Sequence, residues 1–171
     1  MVVKNMTTIL MVVISFAFSG WHTIAGYRIL FANKEQIENG IEQWLKHEPN
    51  YHNYDEWKKI LKKTYPPPNI RDSVRTNKYL KELQNSNYYF DFMGNKVFQI
   101  FDPITSIHYN IQILKPVIGW DLSVMNIDYS DGRYAGFIEL TDVEIKYALK
   151  NFEKNILPQI KDYVRLVQKK K

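Results

Sequence analysis

The sequence has no cysteine among its 171 residues. This absence excludes disulfides, thiolate metal sites and cysteine nucleophiles, so packing alone must stabilise the fold. The chain also lacks a glycine-rich phosphate loop, a G-x-S-x-G elbow and an H-E-x-x-H helix. Apolar residues still make up 45% of the chain, which is typical of a globular domain.

The beginning of the chain is poor in charge. Asn5–Tyr27 contains 23 residues without Asp, Glu, Lys or Arg. As a helix this segment would extend about 34 Å, enough to cross a hydrocarbon core of about 30 Å. The residues expected at the membrane interface are Trp21, His22, Tyr27 and Arg28. The segment therefore predicts a single-pass transmembrane helix in the lipid bilayer, with the N-terminus inside and the C-terminal domain extracytoplasmic.

Two other interpretations of this segment stay open. Lys4, a short apolar stretch and the pair Ala17-x-Ser19 also fit a cleaved secretory signal, which would release a secreted or periplasmic protein. Apolar residues continue beyond Ser19 to Phe31, which favours the anchor. A core helix of a cytosolic protein is the third interpretation, and so long an uncharged run disfavours it.

Apolar residues then recur at helical spacing until Pro49, which predicts an amphipathic stalk. This stripe is the predicted partner-binding surface and consists of Leu30, Ile37, Ile41, Trp44 and Leu45. It either folds back over the domain or binds a partner helix, and the second alternative is favoured. Asn53 and Glu56 predict the cap of a second helix that carries Trp57, and a third short helix is predicted around residues 77–84.

After Asn85 the apolar period changes from the helical value to two, which indicates strands. Five antiparallel strands are predicted, at Tyr88–Met93, Lys96–Phe101, Ile107–Ile113, Trp120–Tyr129 and Arg133–Leu140. Gly94 and Gly132 supply hairpin turns. The pair Thr141 and Glu144 predicts a capping box that opens a long closing helix, which Pro158 should kink.

These segments predict an α+β fold in which a five-stranded antiparallel meander is covered by a long C-terminal helix. The expected division is 1–32 for the anchor, 33–87 for the stalk and connecting helices, and 88–171 for the sheet and closing helix. The closing helix covers one face of the sheet. The other face is expected to stay wet, and it carries His108, Asn110, Gln112, Asp121 and Ser123.

Candidates for chemistry are weak. His47 and His52 are five residues apart around Pro49, which does not fit a paired zinc site. The turn around Asp128 and Gly132 is better explained as a hairpin than as a calcium loop. The basic helix bearing Lys58, Lys59, Lys62 and Lys63 is interpreted as a solvated face rather than a lipid or nucleic-acid surface. No metal, cofactor, catalytic residue, nucleic acid or small-molecule ligand is predicted.

The function expected from these features is that of a non-enzymatic accessory protein or subunit of a membrane or cell-envelope assembly. Its exported domain would bind a protein partner. The alternative is a cleaved secreted or periplasmic binding or inhibitor protein. An enzyme whose site is assembled from scattered Asp, Glu, His and Tyr residues is the third hypothesis, and a desolvated carboxylate on a sheet face would favour it.

Overall fold

The computed structural model describes residues 23–56, 58–59, 78, 81, 86–91, 93–116, 119–133 and 140–169. The strands are β1 (Ala25–Arg28), β2 (Tyr88–Phe90), β3 (Lys96–Asp102), β4 (Ile107–Leu114) and β5 (Asp121–Tyr129). The helices are α1 (Lys34–His47), α2 (Asp142–Asn151) and α3 (Leu157–Lys169), with a 3₁₀ turn at Pro49–Tyr51 and a π-helical turn at Phe152–Ile156. None of the helices in these ranges is long and apolar enough to cross a membrane.

The five strands form one antiparallel sheet in the order β1-β5-β4-β3-β2. The meander from β2 to β5 follows the chain, as the alternation of apolar and polar residues predicts. Gly94 and Gly132 both have positive φ, which confirms the two glycine turns. The predicted α+β class, the five-stranded antiparallel sheet and the long C-terminal helical segment are therefore confirmed.

The first strand is a correction. Ala25–Arg28 was expected at the end of a transmembrane helix that continues into the stalk, but it pairs with β5 from Ala25 opposite Val124 to Arg28 opposite Asp121. β4 occupies one edge of β5, so the other edge offers unpaired backbone groups that β1 satisfies. Residues 134–139, the greater part of the predicted fifth strand, lie outside the described residues, as do residues 1–22.

The helix α1 begins with a capping box, in which the Asn33 side chain accepts a hydrogen bond from the Gln36 amide and Gln36 returns one. The helix packs against α3 and β4. Gly40 makes this approach possible, because a Cβ at that position would lie 2.6 Å from Cγ2 and 2.9 Å from Cα of Val164. The predicted cap of the next helix is also confirmed, since Oδ1 of Asn53 accepts from the Glu56 amide at 3.1 Å.

The closing helical segment departs from a single helix at the predicted place. The capping box of Thr141 and Glu144 is present. The π-helical turn at Phe152–Ile156 then widens the backbone just before Pro158, which has no amide to donate into a regular helix. Across this turn the side chains of Phe152, Ile156 and Ile160 remain fully buried against the sheet.

Candidate functional site

Most of the predicted partner-binding stripe is in the hydrophobic core. The side chains of Ile37, Ile41, Trp44 and Leu45 are buried in the cluster that joins α1, α3 and one face of the sheet. Trp44 also donates its indole N–H to Oε1 of Gln159 at 3.2 Å. The stripe therefore adopts the first of its two alternatives and folds back over the domain. Leu30 differs, since 66% of its surface is exposed.

The predicted membrane-interface residues that the structure describes take part in the fold. The Tyr27 ring stacks on Phe152 with centroids 5.5 Å apart. Nε of Arg28 lies 2.6 Å from Oδ1 of Asp121 across the β1–β5 pair. Trp21 and His22 lie outside the described residues.

A concave surface lies between the β1–α1 turn and α3. This basic groove has a volume of about 410 Å³ and is lined by Arg28, Ile29, Leu30, Phe31, Lys161, Val164, Arg165 and Gln168. That volume is in the range of pockets that receive a ligand or an inserted side chain. Three of these described lining residues are cationic and none is acidic. Arg28 and Arg165 are each held by a neighbouring carboxylate, Asp121 and Asp162 respectively.

The turn that forms one wall of the basic groove holds Phe31 in an unusual state. Phe31 has a φ of 62° and is 95% exposed. A bulky residue is rarely found in this left-handed region, which costs roughly 1–2 kcal/mol. The turn is fixed from both sides, because Gln168 donates a hydrogen bond to the Phe31 carbonyl and Asn33 caps α1. An aromatic ring is thus displayed to solvent at an energetic cost.

The second face of the sheet is a further correction. His108, Asn110, Gln112 and Ser123 were expected to stay wet, but all four are buried, and Asp121 is half-buried. Burial lowers the pKa of His108 to about 4, and the Glu56 carboxylate opposes that shift. Glu56, which follows the 3₁₀ turn, is therefore near enough to β4 for its charge to act on His108. Alternation along a strand shows which side chains share a face, but it cannot show that a distant segment covers them.

The buried face contains a carboxyl group, that of Asp128, which is an unusually weak acid. The carboxylate of Asp128 accepts hydrogen bonds from Nδ2 of Asn110 at 2.8 Å and from Nδ2 of Asn126 at 2.9 Å. Burial nevertheless raises the pKa of Asp128 to about 7, because neutral amides compensate only part of the lost hydration. Asp91 contrasts with it: burial opposes its ionisation, but hydrogen bonds from Asn95, Gln112 and Met93 lower its pKa.

Several polar atoms of this face have no hydrogen-bond partner among the described residues. They are Nε2 and Oε1 of Gln99, Oδ1 of Asn110 and Oδ1 of Asn126. An unsatisfied buried donor or acceptor costs roughly 1–3 kcal/mol, and a domain is stable by only about 5–15 kcal/mol. Four such atoms on one face are therefore a substantial cost, and water or a ligand commonly satisfies groups of this kind.

Other candidate groups are accounted for locally. Lys59 lies 2.7 Å from Glu56, and Lys58 lies over the Tyr54 ring, whereas Lys62 and Lys63 lie outside the described residues. Across the described ranges no group of three or more His, Asp or Glu side chains is arranged to hold a metal ion.

Two features of these surfaces were not predicted from the sequence. Gln99 and Asn126 occupy the same face as Asn110, and strict alternation along β3 and β5 would have identified them. Phe31 had a weaker signal, namely an apolar pair immediately before a helix cap. Its positive φ depends on how β1 and α1 are packed, which local sequence does not specify.

Similarity to known proteins does not assign a function to the basic groove or to the buried polar face. Comparison with protein-family models, with curated proteins and with solved structures finds no match for this chain. Function is therefore inferred from the geometry, burial and charge of these two surfaces.

Proposed function

We propose that this chain is a non-enzymatic accessory protein of a membrane or cell-envelope assembly, and that its domain binds a protein partner in the basic groove. The observation that carries the proposal is the display of Phe31 beside that groove. A strained and almost fully exposed aromatic ring costs stability, and strain of this kind is concentrated at functional positions. Large aromatic side chains also dominate the affinity of protein interfaces.

The charge of the basic groove defines the chemistry of the partner. Arg28, Lys161 and Arg165 surround an apolar floor formed by Ile29 and Val164. This arrangement complements a partner segment that inserts one apolar side chain and places carboxylates on either side of it. A concave cavity suits an inserted side chain better than the flat surface of a bilayer, so a protein partner is favoured over lipid.

The membrane location rests on the residues that precede β1. With Ala25–Tyr27 assigned to the sheet, the uncharged stretch shortens to residues 5–24. As a helix it would still extend about 30 Å, which matches a hydrocarbon core. The proposed orientation keeps the N-terminus inside and the domain extracytoplasmic. Cleavage after Ser19 would also leave β1 intact, so the secreted alternative predicts the same domain.

An enzyme is the less favoured function. Asp128 is a desolvated carboxylate on a sheet face, which is the feature that supports that hypothesis. However, both of its oxygens accept hydrogen bonds from asparagine amides, one from Asn110 on the neighbouring strand β4 and one from Asn126 on β5 itself. Those contacts give Asp128 a role in the buried face and leave neither oxygen uncommitted.

The partner proposal is tested with Phe31→Asn. Asparagine tolerates positive φ better than phenylalanine does, so the melting temperature should stay the same or rise. A stoichiometric partner that co-purifies with the parent chain should be lost from this variant and from Lys161→Glu. Ile104→Asn is the matched control, because Ile104 is 76% exposed in the β3–β4 turn and does not line the basic groove.

A photoreactive phenylalanine analogue at position 31 identifies what occupies the basic groove. The expected product is an adduct with a protein segment that carries Asp or Glu beside the linked residue, and position 104 should give none. Adducts with lipid would contradict the protein partner and indicate a bilayer surface. Retention of the partner by Phe31→Asn would contradict the proposed site.

Membrane attachment has its own measurement. The full chain should stay with membranes after alkaline carbonate washing and begin with its original residues by intact mass. A soluble mature chain that begins at Gly20 would instead establish the secreted alternative.

A further inference from the structure

The first turn of α2 presents an exposed apolar side chain between two carboxylates. Val143 is 76% exposed, and Asp142 and Glu144 lie on either side of it in the chain. Tyr147, one helical turn further on, is 57% exposed, so its side chain and that of Val143 share one surface of the helix. We call the surface formed by these four residues the acidic tip. It has the composition of a segment that would complement the basic groove.

The acidic tip and the basic groove each hold a charge that no neighbouring group neutralises. Glu144 is paired with Arg133. Asp142 forms no ion pair with any described residue, not even with Lys146 one turn further along α2. In the basic groove both arginines have carboxylate partners, but among the described residues Lys161 has none. A contact that joins Asp142 to Lys161 would therefore pair both charges without breaking an existing ion pair.

The two surfaces lie at opposite ends of β5. The basic groove adjoins the start of this strand, where Arg28 pairs with Asp121. The acidic tip adjoins its end, where the Tyr129 hydroxyl donates a hydrogen bond to the Glu144 carbonyl. The strand has nine residues. At about 3.3 Å per residue its ends are about 26 Å apart, so a contact between the two surfaces must join two molecules.

From these observations we infer that the basic groove receives the acidic tip of a second copy of this chain. The inference rests on the proposed function, because it identifies the partner of the same groove. Val143 enters the cavity, and Asp142 pairs with Lys161. Tyr147 packs against Phe31, and two aromatic rings in contact stabilise an interface beyond the effect of their buried area.

Such a contact joins two different surfaces, which determines the kind of assembly. Each bound copy still offers either a free groove or a free tip to a further copy. Heterologous contacts of this kind produce closed rings or open chains, whereas a contact between two identical surfaces ends at a dimer. The expected assembly therefore contains more than two copies.

The experiment measures self-association of the full chain in a mild detergent, by sedimentation velocity over a range of protein concentrations. The parent should form species larger than a dimer as its concentration rises. Asp142→Lys and Lys161→Glu should each weaken association roughly a hundredfold or more, because each places like charges opposite each other. The double variant that combines them should recover association, since its two charges are exchanged and remain complementary.

Asp55→Lys is the matched control for the change of charge. Asp55 is exposed and follows a helix cap, that of Asn53, but it belongs to neither surface. This variant should associate as the parent does. All four variants should melt within about four degrees of the parent, which would show that a loss of association is not a loss of folding.

A photoreactive phenylalanine analogue at position 31 locates the contact. The reaction is carried out on a mixture of ordinary and isotopically labelled chains. The analogue should link to the peptide that carries residues 142–147, and the linked products should include pairs in which the two peptides differ in label. Such mixed pairs show that the contact joins two molecules.

The outcomes separate this inference from the proposed function. A parent chain that stays monomeric at every concentration overturns the inference. If position 31 then links to a different protein, the proposed function stands and a second copy is not the partner. If the double variant does not recover association, Asp142 does not face Lys161 and the acidic tip is not the bound segment. Adducts with lipid alone would contradict both the inference and the proposed protein partner.

Discussion

At the scale of single residues, Asp128 and His108 lie opposite each other on β5 and β4, and burial shifts the pKa of each in the direction that favours its uncharged form. Asp128 titrates near pH 7 instead of its ordinary value of about 4, and His108 near pH 4 instead of about 6.5. The asparagine amides around Asp128 accommodate both of its states. If Asn110 or Asn126 rotates its amide by half a turn, its oxygen can accept the proton of the neutral acid.

These two groups predict opposite dependences of stability on pH. The pKa of Asp128 is higher in the folded than in the unfolded state. Its contribution to the free energy of unfolding is therefore complete below about pH 4 and is lost as the pH rises through about 7. The pKa of His108 is lower in the folded state, so its contribution to the free energy of unfolding is complete above about pH 6.5 and is lost as the pH falls towards about 4. Between these limits the two slopes nearly cancel in the parent chain.

Single substitutions should reveal each slope. Relative to the parent, Asp128→Asn should lose about 2 kcal/mol of unfolding free energy between pH 7 and pH 5. The reason is that only the pH dependence contributed by His108 remains in this variant. His108→Gln should gain a similar amount over the same interval. Urea unfolding at the two pH values measures both differences. A difference between Asp128→Asn and the parent that does not change with pH would show that the carboxyl is not buried as described.

At the scale of elements, α1 is part of the core rather than a stalk. Its stripe contacts α3 and the sheet, and Gly40 removes the side chain that would separate α1 from Val164. The polar groups at this contact are hydrogen-bonded to each other. The Gln159 side chain accepts a hydrogen bond from the Trp44 indole and donates one to the Tyr51 hydroxyl at 3.2 Å. This packing makes α1 essential to the stability of the sheet.

Replacement of Ile41 and Trp44 by glutamate should therefore unfold the domain. Each substitution places an uncompensated charge at a position that is fully buried, at a cost of several kcal/mol. Circular dichroism should show no cooperative melt for the double variant. Glu35→Gln on the exposed side of the same helix is the control and should melt within about two degrees of the parent. If the double variant folds, the stripe is not required for the core, and the prediction that it binds a partner would be supported.

The elements that were predicted correctly depend on local chemistry. Gly94 and Gly132 specify their turns through positive φ, and the pair Thr141 and Glu144 specifies a helix start through hydrogen bonds three residues apart. The buried polar face depends on which segment lies over it, which no local pattern contains. Of the five residues predicted to bind a partner, only Leu30 lines the basic groove, because a stripe of apolar residues suits a core as well as an interface.

At the scale of the whole molecule, β1 makes residues 25–28 part of the sheet. This strand has four residues, includes Gly26, and follows an uncharged stretch, so its local sequence resembles the end of a membrane helix. Its strand conformation is instead fixed by contacts across the chain. Backbone bonds join Ile24 to Val124 at 2.8 Å and Ile29 to Trp120 at 3.2 Å on either side of the paired residues.

A comparison of two truncated chains tests whether the domain extends into the segment predicted as an anchor. A chain that begins at Thr23 keeps β1, and it should be soluble and melt cooperatively. A chain that begins at Asn33 loses the Arg28–Asp121 ion pair and the Tyr27 ring that covers Phe152, and it exposes an open edge on β5. Because an unpaired edge promotes association and the core is left uncovered, this shorter chain should aggregate or melt at least 10 °C lower, roughly the effect of a loss of 2–3 kcal/mol. Size-exclusion chromatography and thermal melts of both chains give the answer. Equal melting temperatures would show that β1 is dispensable and that the expected boundary after residue 32 separates the anchor from an independent domain.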